Sequence, residues 1–241
     1  IENGHGFKTR SDTETIVHAW EEWGHDCPKK LRGIFAFAVW DARKGQLFLA
    51  RDRLGKKPLY YTTDGSRFVF ASEIKALAQD PDVRRELDPA ALADYLNYHY
   101  IPFPGTIFKG LHKLKPGHCL VAQGSGSSLG TSGARRPAET VQISSRPYWA
   151  LSYAPDHSLS EEDWVEALRD KLQEAVRIRL ISEVPLGAFL SGGIDSSAVV
   201  ALMSRVQSEP VKTFSIGFRE DDFSELKYAR QVADLFGTDH H

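Results

Sequence analysis

A short segment rich in glycine and serine, residues 191–197, constrains the fold of this chain more than any other feature. It follows an apolar stretch at residues 184–190, which predicts a buried strand, and it leads into a helix that we expect to begin near Asp195. Gly192 and Gly193 lack a Cβ, so the backbone N–H groups of the turn can close around an anion. The positive end of the helix dipole would point at the same place. This order of elements predicts a phosphate-binding loop.

Polar side chains in the same loop strengthen the case for a ligand. Ser191, Ser196 and Ser197 carry hydroxyl donors, and Asp195 offers a carboxylate that could hold a hard cation bridging phosphate oxygens. The simpler alternative is a Gly-Gly turn in which serine and aspartate only cap a helix. The chain has no G-x-x-x-x-G-K-[ST] segment, which argues against the loop of NTPases that cleave the β–γ bond.

Composition is typical of a globular protein. The 241 residues are enough for two modest domains, and 41% of them are hydrophobic while 26% are charged. The formal net charge of −2 argues against a nucleic-acid partner held by bulk electrostatics, and the longest apolar runs are too short to span a membrane. Two cysteines without a C-x-x-C pair favour a reducing compartment, so we expect a cytoplasmic protein.

The order of predicted elements divides the chain into two parts. From residue 160 onward, helices alternate with apolar strands at residues 184–190 and 211–218, which predicts a parallel sheet with helical crossovers. The earlier part is rich in hairpins, the first of which pairs strands at residues 34–40 and 46–51. A stretch of low propensity near residue 155 is the expected domain boundary.

Two local patterns in the first part carry further predictions. Ser11 and Glu14 have the spacing of a capping box at the start of a helix. Residues 123–137 change abruptly to Gly, Ser, Thr and Ala, a composition that buries too little apolar surface to order itself. We therefore expect a flexible insert there, at the tip of an enlarged hairpin.

Several segments resemble known families. Ser-Gly-Gly-Ile-Asp-Ser at residues 191–196 resembles the pyrophosphate loop of the N-type ATP pyrophosphatases, which split ATP between the α and β phosphates. Segments at residues 10–14, 31–41 and 50–61, followed by one at 71–77, resemble the class II glutamine amidotransferase domain. In this order they resemble glutamine-hydrolysing asparagine synthetase over nearly the whole chain apart from the insert.

The resemblance implies two partial domains of different fold. Residues 1–155 would be the C-terminal part of an α+β N-terminal nucleophile (Ntn) hydrolase-like glutaminase domain. Residues 156–241 would be the N-terminal part of an α/β parallel-sheet domain like the adenine nucleotide alpha-hydrolases, here called the PP-loop domain. The implied reaction is ATP-dependent synthesis of asparagine from aspartate and glutamine through a β-aspartyl-AMP intermediate, with ammonia supplied by glutamine hydrolysis.

The same resemblance assigns roles to individual residues. Positions implied to bind ATP and pyrophosphate lie in the loop and at the strand ends: Leu190, Ser191, Gly192, Gly193, Asp195, Ser196 and Ile216. Asp195 would hold Mg²⁺ through the phosphates, Asp12 would bind the α-amino group of glutamine, and Glu225 would lie near the nucleotide. The simpler alternatives are helix-start carboxylates for Asp12 and Glu225, and core packing for Leu190 and Ile216.

The implied partners are small molecules. They are glutamine, aspartate and ATP as substrates with Mg²⁺ as cofactor, and neither nucleic acid nor membrane is expected. A homodimer is a candidate assembly.

One departure from the family pattern concerns the nucleophile. Class II amidotransferases use an N-terminal cysteine, whereas this sequence opens on Ile1, so we expect a fragment that contains no catalytic residue and is inactive alone. Cys27 and Cys119 cannot supply a free α-amine and are expected to be structural thiols. Two alternatives stay open: an amidotransferase acting on another carboxylate, in polysaccharide or peptide modification or in β-lactam formation, and a non-catalytic nucleotide-binding relative.

Overall fold

The structure is a computed structural model that describes residues 4–124, 140–218 and 224–241. The chain divides into two compact units, Ile1–Ser152 and Tyr153–His241. Most of the insert expected at residues 123–137 lies outside the described residues, although residues 123 and 124 belong to a strand. No helix in the described ranges is long and apolar enough to cross a bilayer.

The first unit contains four α-helices and seven strands among its described residues. In chain order they are α1 (Asp12–Trp23), α2 (Cys27–Lys30), β1 (Ala36–Asp41), β2 (Gln46–Arg51), β3 (Tyr60–Thr63), β4 (Phe68–Ala71), α3 (Ile74–Leu77), α4 (Pro89–Tyr98), β5 (Leu111–Lys113), β6 (His118–Gly124) and β7 (Val141–Pro147). The strands form two antiparallel sheets, with orders β1-β2-β6-β7 and β4-β3-β5.

The four-stranded sheet is buried on both faces at its centre. Adjacent residues of a strand point to opposite faces, and both Phe48 and Leu49 of β2 are fully buried. Phe48 packs with Cys27 and Cys119 on one face, while Leu49 packs with Leu120 on the other. The hairpin of β1 and β2 confirms the sequence prediction, although β1 begins two residues later than expected.

Two charged side chains, those of Arg51 and Asp52, hold the turn that follows β2. The Arg51 guanidinium donates to two carbonyl oxygens of the turn at residues 55–57 and to the carbonyl of Leu114, at N···O distances of 2.6–2.7 Å. The buried Asp52 carboxylate accepts three backbone N–H bonds from residues 54–57. Ionised groups make stronger hydrogen bonds than neutral ones, so the two side chains fix the turn between the two sheets of this unit.

The predicted capping box at α1 is wrong. Ser11 does cap the helix, because its hydroxyl accepts the N–H of Thr13 at 3.2 Å. Glu14, however, accepts the N–H groups of Lys8 and Thr9 at 2.7 Å instead of reaching the N–H of Ser11. The segment before the helix therefore turns back onto the Glu14 carboxylate, a tertiary arrangement that the local spacing does not reveal.

The described part of the second unit has three helices and three short parallel strands. In chain order they are α5 (Glu161–Arg177), β8 (Gly187–Phe189), α6 (Ile194–Val206), β9 (Lys212–Phe214), α7 (Leu226–Phe236) and β10 (Asp239–His240). The strand order is β10-β9-β8, and both pairings are parallel. This confirms the predicted parallel sheet, with α6 and α7 as its crossovers.

The strands of this sheet are shorter than the apolar runs that predicted them. β8 spans three residues rather than 184–190, and β9 spans three rather than 211–218. Apolar character marks burial against helices as well as strand pairing, so it overestimates the length of the hydrogen-bonded ladder. Val211, for example, is buried but lies just outside β9.

Candidate functional site

The loop at residues 190–197, hereafter the SGG loop, leaves the sheet at the carboxyl end of β8. The Leu190 N–H donates to the carbonyl of Phe214 at 2.8 Å, and the Leu190 carbonyl accepts the Ser215 hydroxyl. Leu190 itself is buried in the core formed with Val200 and the helix α7. The loop therefore starts from a point fixed to the end of the neighbouring strand β9, at the edge where open parallel sheets bind ligands.

Hydrogen bonds among serine and glycine shape the loop itself. The hydroxyls of Ser191 and Ser196 lie 3.0 Å apart, and the Ser196 hydroxyl also accepts the N–H of Ser191. The Ser191 hydroxyl in turn accepts the N–H of Gly193 at 3.3 Å. The Ser197 hydroxyl is buried and has no hydrogen-bond partner among the described residues. A buried polar group without a partner needs an explanation, and a bound ligand or water is one.

Residue 192 must be glycine for two reasons, its backbone conformation and the lack of space for a Cβ. Its φ of +81° lies in the region that favours glycine, and a Cβ placed there would come within 2.5 Å of the Tyr228 backbone and within 2.7 Å of Ala229 N. The first turn of α7 therefore packs directly against the loop. Glu225, whose carbonyl accepts the N–H groups of Tyr228 and Ala229, lies one turn earlier.

The helix α6 supplies the groups that could receive an anion. It begins at Ile194 with Gly193 as its N-cap, and no side chain caps it. The first turn of a helix has N–H groups without intrahelical acceptors and carries a partial positive charge. Asp195 lies in this turn with its side chain exposed. A carboxylate, hydroxyls and backbone N–H groups together fit a phosphate group bound with Mg²⁺.

Most residues predicted for the nucleotide site are brought together. Leu190 to Ser196 form one continuous segment that ends in the first turn of α6, and Ile216 follows β9 at the same edge of the sheet, because Phe189 of β8 pairs with Phe214. Ile216 is 71% exposed, so it is not a core residue. Leu190, in contrast, is packed in the core as its simpler alternative predicted. Glu225 is the N-cap residue of α7 but makes no side-chain capping bond.

Replacing Gly192 with alanine should destabilise the second unit by about 2 kcal/mol or more, because the Cβ adds both backbone strain and a clash with α7. Gly193→Ala is the matched control, since its φ is negative and its Cβ would meet only the Ser191 hydroxyl at 3.4 Å. The control should cost less than about 1 kcal/mol. Urea denaturation of the two variants measures the difference, and equal losses would contradict the packing described above.

The predicted glutamine-binding residue lies in the first unit. Asp12 is the first residue of α1 and is exposed, and its carboxylate is 3.5 Å from the Thr13 hydroxyl. Nearby, Glu14 is held by the N–H groups of Lys8 and Thr9 and by the Thr9 hydroxyl. The Lys8 bond is the largest of several that lower the pKa of Glu14 to about 2. The role of Asp12 itself stays a prediction.

The lowered pKa of Glu14 predicts a pH dependence of stability. A group whose pKa is depressed by folding stabilises the fold above its unfolded pKa, and this contribution is lost as the pH falls toward the folded value. For Glu14 the interval runs from about 4.5 down to about 2. Glu14→Gln should therefore lower stability at pH 7 and reduce the decline between pH 5 and pH 2.5. Guanidinium midpoints across this range test it, and an unchanged decline would contradict the assignment.

Neither cysteine has the properties of a nucleophile. Cys27 and Cys119 are free, almost completely buried, and part of one core cluster. Burial raises the pKa of the Cys27 thiol to about 12 and also raises the pKa of Cys119. The thiolate is the reactive form, so both groups are unreactive at neutral pH. This agrees with the expectation that they are structural.

The burial of the thiols predicts slow chemical modification. In the folded chain at pH 8, neither Cys27 nor Cys119 should react with a chromogenic disulfide reagent within minutes. Both should react at once in 6 M guanidinium chloride, because unfolding exposes them and restores an ordinary pKa. A thiol that reacts rapidly in the native chain would show that the core around Phe48 opens.

Comparison with known proteins identifies the class. A family model described as a glutamine amidotransferase domain matches residues 1–131, more than half of the chain. The chain therefore belongs to the glutamine amidotransferase domain family. A second family model, described as asparagine synthase, matches residues 167–241, which include the SGG loop.

The relatives carry both parts in the same order. The chain is 37% identical to asparagine synthetase [glutamine-hydrolyzing] 3 of Bacillus subtilis over 99% of its length, and 36% identical to a putative asparagine synthetase 2 of Methanocaldococcus jannaschii over 97%. It is also 34% identical to the amidase chry2 of Gibberella zeae over 98%. It covers only 38%, 43% and 35% of these proteins, about two-fifths of their length. These matches confirm the resemblance stated from the sequence.

Solved structures give a weaker likeness. A glutamine phosphoribosylpyrophosphate amidotransferase of B. subtilis matches the whole chain at 16% identity and a TM-score of 0.37, with 40% of that protein covered. At this TM-score the match supports no further assignment.

Proposed function

We propose that this chain is part of an enzyme that makes asparagine from aspartate, using ATP and ammonia released from glutamine. The first unit would belong to an Ntn-hydrolase-like glutaminase and the second to a PP-loop ATP pyrophosphatase. The proposal is supported by the two family matches in this order and by relatives named as glutamine-hydrolysing asparagine synthetases. The observation that carries the ATP-dependent half is the SGG loop, placed between a parallel strand and the start of α6.

In this proposal the SGG loop binds the pyrophosphate that leaves when aspartate is activated. The first-turn N–H groups of α6 and the hydroxyls of Ser191 and Ser196 would donate to its oxygens. Ile216, which is exposed just after β9, would contact the nucleotide, whereas the buried Leu190 would support the start of the loop. Mg²⁺, held by Asp195, would neutralise the charge that develops on the leaving group.

The chemical logic is the conversion of a poor leaving group into a good one. An oxygen of the aspartate side chain attacks the α-phosphorus of ATP, the α–β bond breaks, and pyrophosphate departs. Ammonia then attacks the acyl carbon and expels AMP, which leaves the amide. In the other half of the reaction, Asp12 would hold the α-amino group of glutamine by charge pairing at the start of α1.

The acceptor in a second candidate function is a different carboxylate. The amidase chry2 of Gibberella zeae matches nearly the whole chain as well as the asparagine synthetases do, within a few per cent identity. The SGG loop would serve either acceptor equally, because it contacts the phosphates rather than the acid. A non-catalytic nucleotide-binding relative is the third candidate. Neither the family models nor the relatives named above favour this candidate. We further propose a cytoplasmic location and leave a homodimer as the candidate assembly.

Replacing Asp195 with asparagine in the gene product that contains this sequence should reduce adenylate formation by about 100-fold or more, because the Mg²⁺ ligand at the departing phosphate is lost. Aspartate-dependent exchange of labelled pyrophosphate into ATP measures this step without the glutaminase. Asp170→Asn, an exposed carboxylate in α5, is the matched control and should retain full exchange.

The same assay separates the candidates. Exchange that needs aspartate supports asparagine synthesis, whereas exchange only with another carboxylate supports the second candidate. A protein that binds ATP and catalyses no exchange with any acid would support the non-catalytic reading. Undiminished exchange in the Asp195→Asn variant would overturn the role given to the SGG loop.

A further inference from the structure

A cluster of histidine and carboxylate groups lies beside α1 in the first unit, and none of its residues belongs to the SGG loop. His18 and Glu21 are on α1, one turn apart, and His5 comes from the segment that precedes the helix. One ligand atom from each of the three residues can be chosen so that all lie within 4.8 Å of one another. Histidine nitrogen and carboxylate oxygen are the ligands that Zn²⁺ prefers when thiolates are absent.

The Nδ1 atoms of the two imidazole rings lie near the same carboxylate oxygen. The Nδ1 atom of His18 is 3.0 Å from Oε2 of Glu21, and the Nδ1 atom of His5 is 3.6 Å from the same oxygen. The two rings lie 4.8 Å apart between centroids, inclined at 42°. Ligands at about 2.0–2.1 Å from a tetrahedral ion are separated by about 3.3–3.4 Å. The two distances to the Glu21 oxygen, 3.0 and 3.6 Å, lie on either side of this value.

The Nε2 atoms of the two imidazole rings lie near two further carboxylates. Nε2 of His5 is 3.3 Å from Glu22, and Nε2 of His18 is 3.7 Å from Glu14. Nε2 of His18 is also buried and makes no hydrogen bond in the described part of the chain. Metal-binding histidines usually direct their second nitrogen at a carboxylate, which fixes the ring and raises the basicity of the ligand. Glu14 is suited to this role because backbone N–H groups hold its carboxylate in place.

We propose that His5, His18 and Glu21 form a binding site for a divalent transition metal, with Zn²⁺ as the ion of best fit. The ligands are Nδ1 of both histidines and a carboxylate oxygen of Glu21, and water completes the coordination. Glu14 orients His18, and Glu22 orients His5. The ion joins the segment before α1 to the middle of the helix, so it holds the beginning of α1, where Asp12 lies. Its role is structural.

The site is tested by Zn²⁺ binding to the 241-residue chain, measured by competition with a chromophoric chelator at pH 7.5. We expect one ion per chain. Glu21→Gln, a change at a half-exposed side chain, should weaken the affinity by about 100-fold, and His18→Gln should do the same. Glu14→Gln should weaken it by about 10-fold, because it removes the carboxylate that orients His18 while all three ligands remain.

The controls separate this site from general histidine binding. His157→Gln, an exposed histidine outside the cluster, should leave the affinity unchanged. Co²⁺ provides a second readout, since its visible absorption bands should appear in the native chain and in His157→Gln but be lost in Glu21→Gln. The proposal is overturned if Glu21→Gln binds Zn²⁺ as tightly as the native chain, or if His157→Gln weakens binding equally. Circular dichroism of each variant confirms that it is folded.

Discussion

The close approach of α7 to Gly192 is the constraint on which the arrangement of the second unit depends. A Cβ on residue 192 would lie 2.5 Å from the Tyr228 backbone, so no other residue fits unless the loop or the helix moves. The contact fixes the SGG loop from one side, while the bonds of Leu190 to Phe214 and Ser215 fix it from the sheet. A loop held at both ends retains its shape before any ligand arrives, which reduces the ordering cost of binding.

In the first unit the comparable constraint is a sheet buried on both faces. Phe48 and Leu49 each need an apolar layer, so polar groups near the centre of the sheet must be satisfied internally. Arg51 and Asp52 meet this need by bonding to the backbone of the turn that follows β2. Tyr148 adds a bond from its hydroxyl to the Arg51 carbonyl at 2.8 Å. The segment at residues 50–61, one of those that carried the family resemblance, thus stabilises the turn after β2 through its charged side chains.

The structural features that depend on a local sequence pattern could be predicted. Those that depend on contacts with residues outside the pattern could not. The β1–β2 hairpin and the parallel sheet follow from hydrophobic periodicity. Glu14 was misassigned because Lys8 and Thr9 compete for its carboxylate, which spacing alone cannot show. The SGG loop was visible because its glycines and serines are consecutive. The cluster of His5 with His18 and Glu21 could not be predicted, because the sequence does not reveal the turn that brings His5 back to α1.

The internal bonding of the SGG loop bears on how it would bind an anion. Ser191 and Ser196 already share a hydrogen bond, and the N–H of Gly193 is directed at the Ser191 hydroxyl. An anion must therefore replace existing bonds, so the net gain from each hydroxyl is small. The charge of Asp195 would also repel a bare phosphate in the same turn. A divalent cation reverses the sign of that interaction, because it binds the carboxylate and the phosphate together. In the proposed function, the loop would therefore favour a metal-bound pyrophosphate over the free anion.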